Sequence, residues 1–452
     1  MTNVASSGLT PKQRKTIAGG AIGTLIEYYD YYLYGLAAAA VFPAVFFSSN
    51  DQVIAQLSSF ATFAVGFFLR PVGGIIWGIV GDRRGRKVVL MSTVIGMGLA
   101  TTGIGLIPSD QMIGIAAPLL LLFFRLCQGF FVGGEMGGAA TMVVEAAPTG
   151  KRGLYGAFLI SGAGVANVVS GGLMAGLGLT PESWFLQWGW RIPFVFSIVL
   201  AIAAILLRRQ LEESDAFTDT QTLLLATTGK KPNPLIEVFR HPKNAIMGIL
   251  IGLPQSIAGY VILTYGLAFI VSNQHLPAWM GFAGTMLVGL LQIVVAPLWG
   301  AISDRIGRRT VYIIGCLGFA AMVYPAFMMF STGNMWLIWL GQILGFVVFG
   351  VAMQATLSTM LVEMFDPEAR TTGVNIGYQI SNTLGGGLAP LICTALVAAA
   401  GGAFWPVVVY AAVIAVVGVI ATLVASIQPD VEGAGRLHEL RTTASVKTGA
   451  SR

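Results

Sequence analysis

The chain has 452 residues, 55% of them hydrophobic and only 10% charged, with 26 Lys and Arg against 20 Asp and Glu and a net charge of +6. Ordinary soluble domains carry roughly 25% charged residues, so a water-soluble globule of this size cannot be built from this composition. Disorder is excluded by the apolar content, and a disulfide scaffold by Cys127, Cys316 and Cys393 lying far apart in apolar runs. The positive balance does not indicate nucleic acid, because the basic residues fall in short clusters between apolar runs.

Twelve apolar runs follow one another, near 17–47, 57–80, 88–107, 113–143, 153–179, 189–209, 244–272, 279–302, 310–330, 335–362, 372–399 and 403–426. Each is about 20 residues or longer, enough to cross the hydrocarbon as a helix. The runs are continuous rather than alternating, which predicts helices and not a β-barrel. The first is too long for a signal-peptide core. With the N-terminus inside, 23 of the 26 basic residues fall on inner segments, Arg191 is at an outer helix edge, and Arg70 and Arg125 lie within helices. The split predicts both termini in the cytoplasm and a chain embedded in the lipid of the cytoplasmic membrane.

An internal repeat is present. Trp77-Gly78-Ile79-Val80-Gly81-Asp82-Arg83-Arg84-Gly85-Arg86-Lys87 returns 222 residues later as Trp299-Gly300-Ala301-Ile302-Ser303-Asp304-Arg305-Ile306-Gly307-Arg308-Arg309. Glu145 and Arg152, seven residues apart, return 218 residues later as Glu363 and Arg370. Two matches at nearly one offset predict two homologous halves of six helices. The expected organisation is an inner tail at 1–16, an N-terminal bundle at 17–209, a polar linker at 210–243, a C-terminal bundle at 244–426 and an inner tail at 427–452. Between helices, glycines at such a loop permit a tight turn, Asp82 and Asp304 can cap a helix or meet a base, and the arginines face the cytoplasm.

The doubled loop resembles the signature of the major facilitator superfamily, and the resemblance spans nearly the whole chain. It implies twelve helices, two rocking bundles and a central cavity. It also implies that Asp82 with Glu145 and Arg152, and Asp304 with Glu363 and Arg370, latch the inner face. Gly78, Arg83, Gly85, Arg86, Arg305, Gly307 and Arg308 complete the two loops. Glu27-Tyr-Tyr-Asp30-Tyr-Tyr-Leu-Tyr34-Gly35, Phe67-Phe-Leu-Arg70-Pro71-Val-Gly73-Gly74, Arg125-Leu-Cys-Gln128-Gly129-Phe-Phe-Val-Gly133-Gly134-Glu135 and Gln187-Trp-Gly-Trp-Arg191-Ile-Pro193-Phe194 resemble the metabolite:proton symporter family within it. Ala37-Ala-Ala-Ala-Val-Phe42, Ala61-Thr-Phe-Ala-Val-Gly66, Leu211-Glu-Glu-Ser-Asp-Ala-Phe217, Arg240-His241-Pro242, Glu363-Met-Phe365 and Gly377-Tyr378-Gln379 resemble its shikimate-permease branch. That likeness implies uptake of a small, shikimate-like organic acid together with protons.

A charge at bilayer depth costs several kcal/mol, roughly 2.5–3.5 for Arg, Lys or Asp at a helix centre. Glu27 and Asp30 lie roughly 15–20 Å into the first helix at about 1.5 Å per residue, on one face. Arg70 and Arg125 are at mid-depth in helices two and four, with Glu135 nearer the cytoplasm. A carboxylate beside a cation and a dry wall takes up and releases a proton as access alternates. The expected proton-coupling group is Asp30, then Glu27, with Arg125 as partner and Glu135 in support. Arg70 is the expected carboxylate receptor by bidentate pairing, with Arg125 as the alternative.

Neutral partners for the cargo are expected from Tyr34, Asn167, Gln255, Tyr260, Gln292, Gln379 and Asn382. Asn375, Gln379 and Asn382 follow one helical stripe, and with Trp77 set on Trp299, Arg70 falls on Gln292. The fifth helix lacks the Gly-Pro pair of facilitator exporters, which favours uptake. No catalytic triad, phosphate loop or metal-ligand cluster is visible, so neither an enzyme nor a cofactor or metal is expected. A monomer is expected. The competing cargoes are a dicarboxylate, an aromatic acid or a zwitterionic osmolyte. A membrane sensor would need an output domain that the linker and tail do not offer.

Overall fold

The computed structural model describes residues 11–84, 86–133, 140, 143–144, 147–148, 150–208, 242–365 and 370–426. The expected linker, apart from residues 242–243, and the expected C-terminal tail lie outside these, as do Gly85, Glu135 and Glu145. For Gly78, Asp82, Arg83 and Arg86 only the helical backbone is described. The described residues contain no strand and form twelve long helical segments.

The first is α1 (Pro11–Ala40). Next come α2 (Gln52–Phe68, resumed as Arg70–Arg84), α3 (Arg86–Leu106), α4 (Ala116–Val132) and α5 (Arg152–Gly178). Then follow α6 (Glu182–Leu206), α7 (Pro242–Asn273), α8 (Ala278–Ile306), α9 (Arg308–Phe330) and α10 (Met335–Met364). The last two are α11 (Arg370–Ser381, continuing to Ala399) and α12 (Trp405–Val424). Leu99, Leu106, Val294, Leu298, Val413 and Ile420 are exposed on the outside of the bundle, as a lipid-facing surface requires. Helices α2 and α5 through α12 are each long and apolar enough to span a bilayer. This is a multi-pass membrane protein of two six-helix bundles.

The repeat is visible in the packing. Trp77 Nε1 donates to the Phe130 carbonyl in α4 at 3.1 Å, and Trp299 Nε1 donates to the Val348 carbonyl in α10 at 2.9 Å. Each half thus ties its second helix to its fourth with the same side chain. In the N-terminal half that crossing is backbone on backbone. A Cβ at Gly129 would lie 1.9 Å from the Gly66 carbonyl oxygen, and one at Gly133 would lie 2.0 Å from that of Arg70. Glycine at these points is what allows α2 and α4 to meet, the usual device where lipid gives no hydrophobic drive to helix pairing. The crossing carries Arg70 and Arg125, both buried.

The halves meet chiefly along α5 on α8, with further contacts of α5 on α10, α2 on α11 and α1 on α7. On the face that bears the arginine-rich loops, hereafter the basic face, the Asp304 carboxylate accepts from the backbone N–H groups of Gly153 and Leu154 at 2.8 and 2.9 Å. Toward the opposite face Thr383 Oγ1 donates to the Phe67 carbonyl at 3.0 Å, and the rings of Phe63 and Phe67 abut Tyr260 with centroids 5.5 and 5.9 Å apart. Among the described residues the halves therefore touch on both sides of the central cavity.

Candidate substrate cavity and inner latch

A cavity lies at the seam between the halves, and most of its wall is aromatic or amide. From α1 come Tyr28, Tyr31 and Tyr32, and from α2 Arg70. The other half adds Gln255, Ser256, Tyr260, Leu263 and Thr264 of α7, Gln354 of α10, and Tyr378 and Asn382 of α11. The space open to water centres is about 30 Å³, room for about two waters. A cargo of a dozen heavy atoms therefore needs the halves or the tyrosine rings to part.

The C-terminal wall owes its shape to broken helical register. α7 turns π-helical over Tyr260–Tyr265 and α11 over Asn382–Gly387. Such turns swing side chains out of the ordinary helical stripe and gather at functional sites. On α11 the cavity-facing stripe is Tyr378 and Asn382. Of the expected stripe of Asn375, Gln379 and Asn382, Asn382 lines the cavity, while Gln379 is buried outside the cavity wall.

Arg70 and Arg125 separate cleanly. Arg125 is 1% exposed and is used up within the N-terminal half. Its Nε and Nη2 donate to the Phe63 carbonyl at 3.3 Å, its Nη1 donates to Gln128 Oε1 at 3.1 Å, and Tyr34 lies under it at 4.0 Å. Its hydrogen-bond partners are thus Phe63 and Gln128. Arg70 lines the cavity and is 2% exposed. Its guanidinium is held between the rings of Tyr31 and Phe67, at 4.0 and 3.7 Å from their centroids. Its Nε and Nη2 have no hydrogen-bond partner among the described residues. A buried cation with idle donors is costly, and a carboxylate entering the cavity would repair it with a two-pronged pair.

The carboxylates also divide. Glu27 exerts its field on Tyr28, Tyr31, Tyr260 and Tyr378, four of the wall residues, and three of these also feel Arg70. Asp30 acts on Tyr29, whose hydroxyl donates to the Pro193 carbonyl of α6 at 2.7 Å. Both acids are buried. Because Tyr28, Tyr31 and Tyr32 face the cavity, Asp30 projects from the other side of α1.

Four of the expected cargo contacts line the cavity: Arg70, Gln255, Tyr260 and Asn382. Tyr34 does not, since its hydroxyl donates to Thr62 Oγ1 at 3.0 Å beneath Arg125. Asn167 and Gln292 form a ladder instead. Asn167 Nδ2 donates to Gln292 Oε1 at 3.0 Å across the halves, and Gln292 Nε2 donates to Gln354 Oε1 at 2.9 Å. Gln354, at the end of that ladder in the cavity wall, escaped the sequence reading. It is the one glutamine in the second half of α10, and a lone amide at that depth was its signal. Tyr28, Tyr32 and Tyr378 were missed because tyrosine in an apolar helix usually reads as packing.

At the basic face the loops are partly described. Gly307 turns with φ 92°, which favours glycine. Arg308 bridges Asp304 at 3.5 Å and Glu363 at 3.1 Å. Arg308 thus sits between these two acids, and Arg370 Nε donates to the Phe365 carbonyl at 3.3 Å. Arg305 is exposed, and Arg152 is the first residue of α5. Asp304 meets the N-terminus of that helix, where two backbone donors and the dipole favour an anion. A Cβ at Gly153 would lie 2.4 Å from Ser303 Oγ and 2.8 Å from Asp304 Oδ1, so only glycine lets the latch close. The mirror-image latch of Asp82 lies outside the described side chains.

Comparison with known proteins agrees with this architecture. Residues 17–227 match the family model described as sugar (and other) transporter, and residues 245–443 match that of the major facilitator superfamily. The shikimate transporter of Escherichia coli (strain K12) is 38% identical over 402 residues, covering 88% of this chain and 91% of its own. The chain belongs to the major facilitator superfamily. The proline/betaine transporter of Salmonella typhimurium is 33% identical, covering 90% of this chain and 82% of its own. Among solved structures, a D-xylose–proton symporter superposes with a TM-score of 0.68 at 17% identity, covering 91% of this facilitator and 96% of its own chain, a likeness of fold. Family and relatives are transporters, so the facilitator carries a small molecule across the membrane and is not an enzyme.

Proposed function

We propose that the facilitator imports a small organic carboxylate, of the shikimate kind, together with protons, by alternating access of the central cavity. It sits in the cytoplasmic membrane as a monomer, with the basic face and both termini toward the cytoplasm. The observation that carries this reading is Arg70, a buried cation at the cavity wall with two donor nitrogens that have no hydrogen-bond partner among the described residues. The cargo carboxylate takes the Arg70 fork, and Gln255, Gln354 and Asn382 of the other half receive its hydroxyls. Glu27, whose field reaches the same wall, releases a proton when Arg70 is open to it and binds one when cargo occupies the arginine. Asp30 is the second candidate carrier, behind the wall. The 38% identical relative bears the name shikimate transporter, which supports the cargo class.

A second reading has its own observation. Five tyrosines ring the cavity, Tyr28, Tyr31, Tyr32, Tyr260 and Tyr378, and tyrosine faces suit a quaternary ammonium. A zwitterionic osmolyte would seat its carboxylate on Arg70 and its cation among the rings. The test is uptake of labelled shikimate into proteoliposomes with and without an inward proton gradient, for the natural chain, Glu27→Gln and Asp30→Asn, with betaine as competitor. Gradient-driven accumulation that Glu27→Gln reduces to exchange is the expected result. Accumulation of betaine without shikimate uptake would select the second reading, and gradient-independent accumulation of either would remove proton coupling.

A further inference from the structure

Below the central cavity, toward the basic face, lies a second one of about 20 Å³, lined by Thr24, Tyr28, Ala140, Leu159, Ile160, Ser358, Leu361, Val374 and Tyr378. The two cavities have two lining residues in common, Tyr28 and Tyr378, and no others. Their hydroxyls are hydrogen-bonded to each other. Tyr28 belongs to α1 and Tyr378 to α11, so the bond joins the two halves. Thr24 and Val374 precede the pair by four residues on their helices, one turn nearer the basic face, and both line the lower cavity. The upper cavity is lined from the other direction, by Tyr31, Tyr32 and Asn382. Two phenols from opposite halves thus floor the upper space and roof the lower one.

We propose that the Tyr28–Tyr378 hydroxyl pair is the inner gate of the cargo cavity, and that the lower cavity is the head of its exit path. The rings supply the barrier, which is apolar and one side chain thick. The hydroxyls supply the latch, a single hydrogen bond that breaks when the halves part at the basic face. Asp304 on the α5 N-terminus closes the same face nearer its surface, so the pair is a second, deeper closure. The location fits a gate that senses occupancy, since both rings also form cargo-cavity wall. That this gate opens to the cytoplasm rests on the orientation proposed above. The gate itself rests on the two cavities.

The test uses a Leu263→Cys reporter in the upper cavity wall, reacted with a membrane-impermeant maleimide from each side of oriented vesicles. The chain with only its native Cys127, Cys316 and Cys393 serves as the blank. A net hydrogen bond of this kind shifts an equilibrium by about three- to tenfold. Tyr28→Phe and Tyr378→Phe are each expected to speed reporter labelling from the basic side about three- to tenfold, and the double variant no further than either single one. Labelling from the opposite side is expected to stay level or fall. Unchanged basic-side rates in both single variants, additive effects in the double, or equal gains from both sides would overturn the proposal. Gel-filtration profiles and thermal unfolding of the purified variants identify any that fail to fold. Tyr28→Leu is then measured in place of such a variant, and it must label from the basic side at least as fast as Phe. The labelling requires no cargo, so a wrong cargo leaves this test intact, and an inverted orientation only exchanges which vesicle preparation responds.

Discussion

Replacing Arg70 tests the proposed cargo receptor against Arg125, which is bonded within the N-terminal half. In Arg70→Gln the cavity loses its charge and its fork. Two charge-assisted hydrogen bonds to a carboxylate contribute about 1.5–3 kcal/mol each, so cargo binding weakens by about 3–6 kcal/mol, or roughly 100- to 20,000-fold in half-saturation. Arg70→Lys retains a cation but not the planar fork stacked between Tyr31 and Phe67. The expected loss is about half as large in free energy, roughly 10- to 100-fold. Arg125→Lys should act differently, because the donors it removes are bonded to Phe63 and Gln128. It lowers the amount and thermal stability of the folded carrier while half-saturation of what remains changes by less than about threefold. The assay is initial-rate uptake of labelled shikimate against concentration in proteoliposomes, normalised to inserted protein, with thermal unfolding of each variant in detergent. Natural half-saturation in Arg70→Lys, or a large rise in a fully stable Arg125→Lys, would refute the assignment.

The latch at the basic face gives a second prediction. Asp304→Asn removes an anion from two backbone N–H groups, a loss of about 1–2 kcal/mol, so a cysteine reporter in the central cavity should react roughly 5- to 30-fold faster from the basic side. Gly153→Ala should mimic it, because the added Cβ displaces Ser303 and Asp304; natural labelling kinetics in both would deny the latch. Gly129→Ala should abolish folded carrier, since its Cβ would occupy the Gly66 carbonyl position, whereas Gly176→Ala meets nothing within 4 Å and should be neutral in the same expression and gel-filtration assay. Gln354→Leu should raise half-saturation for a hydroxylated acid more than for its deoxy analogue, and equal effects on both would remove Gln354 from the site. Uptake should rise as external pH falls below internal pH and reverse with the gradient, and Glu27→Gln should flatten that dependence.

The fold was legible because the bilayer imposes it. Long apolar runs, basic clusters and the repeat of the Trp-Gly-to-Arg loop leave little choice of architecture, and the paired bonds of Trp77 and Trp299 express that repeat in three dimensions. The arginines were legible as buried charges, but not which of them faces cargo. That depended on Gly66 and Gly129 letting α4 come close enough for Arg125 to reach the Phe63 carbonyl. Of the amide stripe expected on α11, Asn382 lines the cavity and Gln379 does not, because period alone does not say which side chains turn inward and the helix turns π-helical from Asn382. Asn167 and Gln292 were recognised as polar groups in lipid-spanning helices, yet their partner proved to be each other across the halves. Sequence shows that such an amide needs a partner; only packing shows that another amide, and not a cargo, supplies it.

The uneven chemistry of the halves bears on how binding becomes motion. The N-terminal wall offers Arg70 and the field of Glu27, while the C-terminal wall offers neutral Gln255, Gln354 and Asn382. A cargo with a carboxylate at one end and hydroxyls at the other satisfies both walls only when they are near, so binding draws the halves together. Gln354 is also the last rung of the ladder through Gln292 to Asn167. A hydroxyl that competes for its amide therefore acts on a bond between the halves. In Asn167→Ala the cross-half rung is lost while the cavity wall is untouched. Half-saturation should hold within about threefold as turnover falls or rises severalfold, because one buried hydrogen bond of about 1 kcal/mol is removed from one closed state and not from cargo binding. A large change in half-saturation with turnover unaltered would place Asn167 in the cargo site after all and dissolve the ladder as a coupling element.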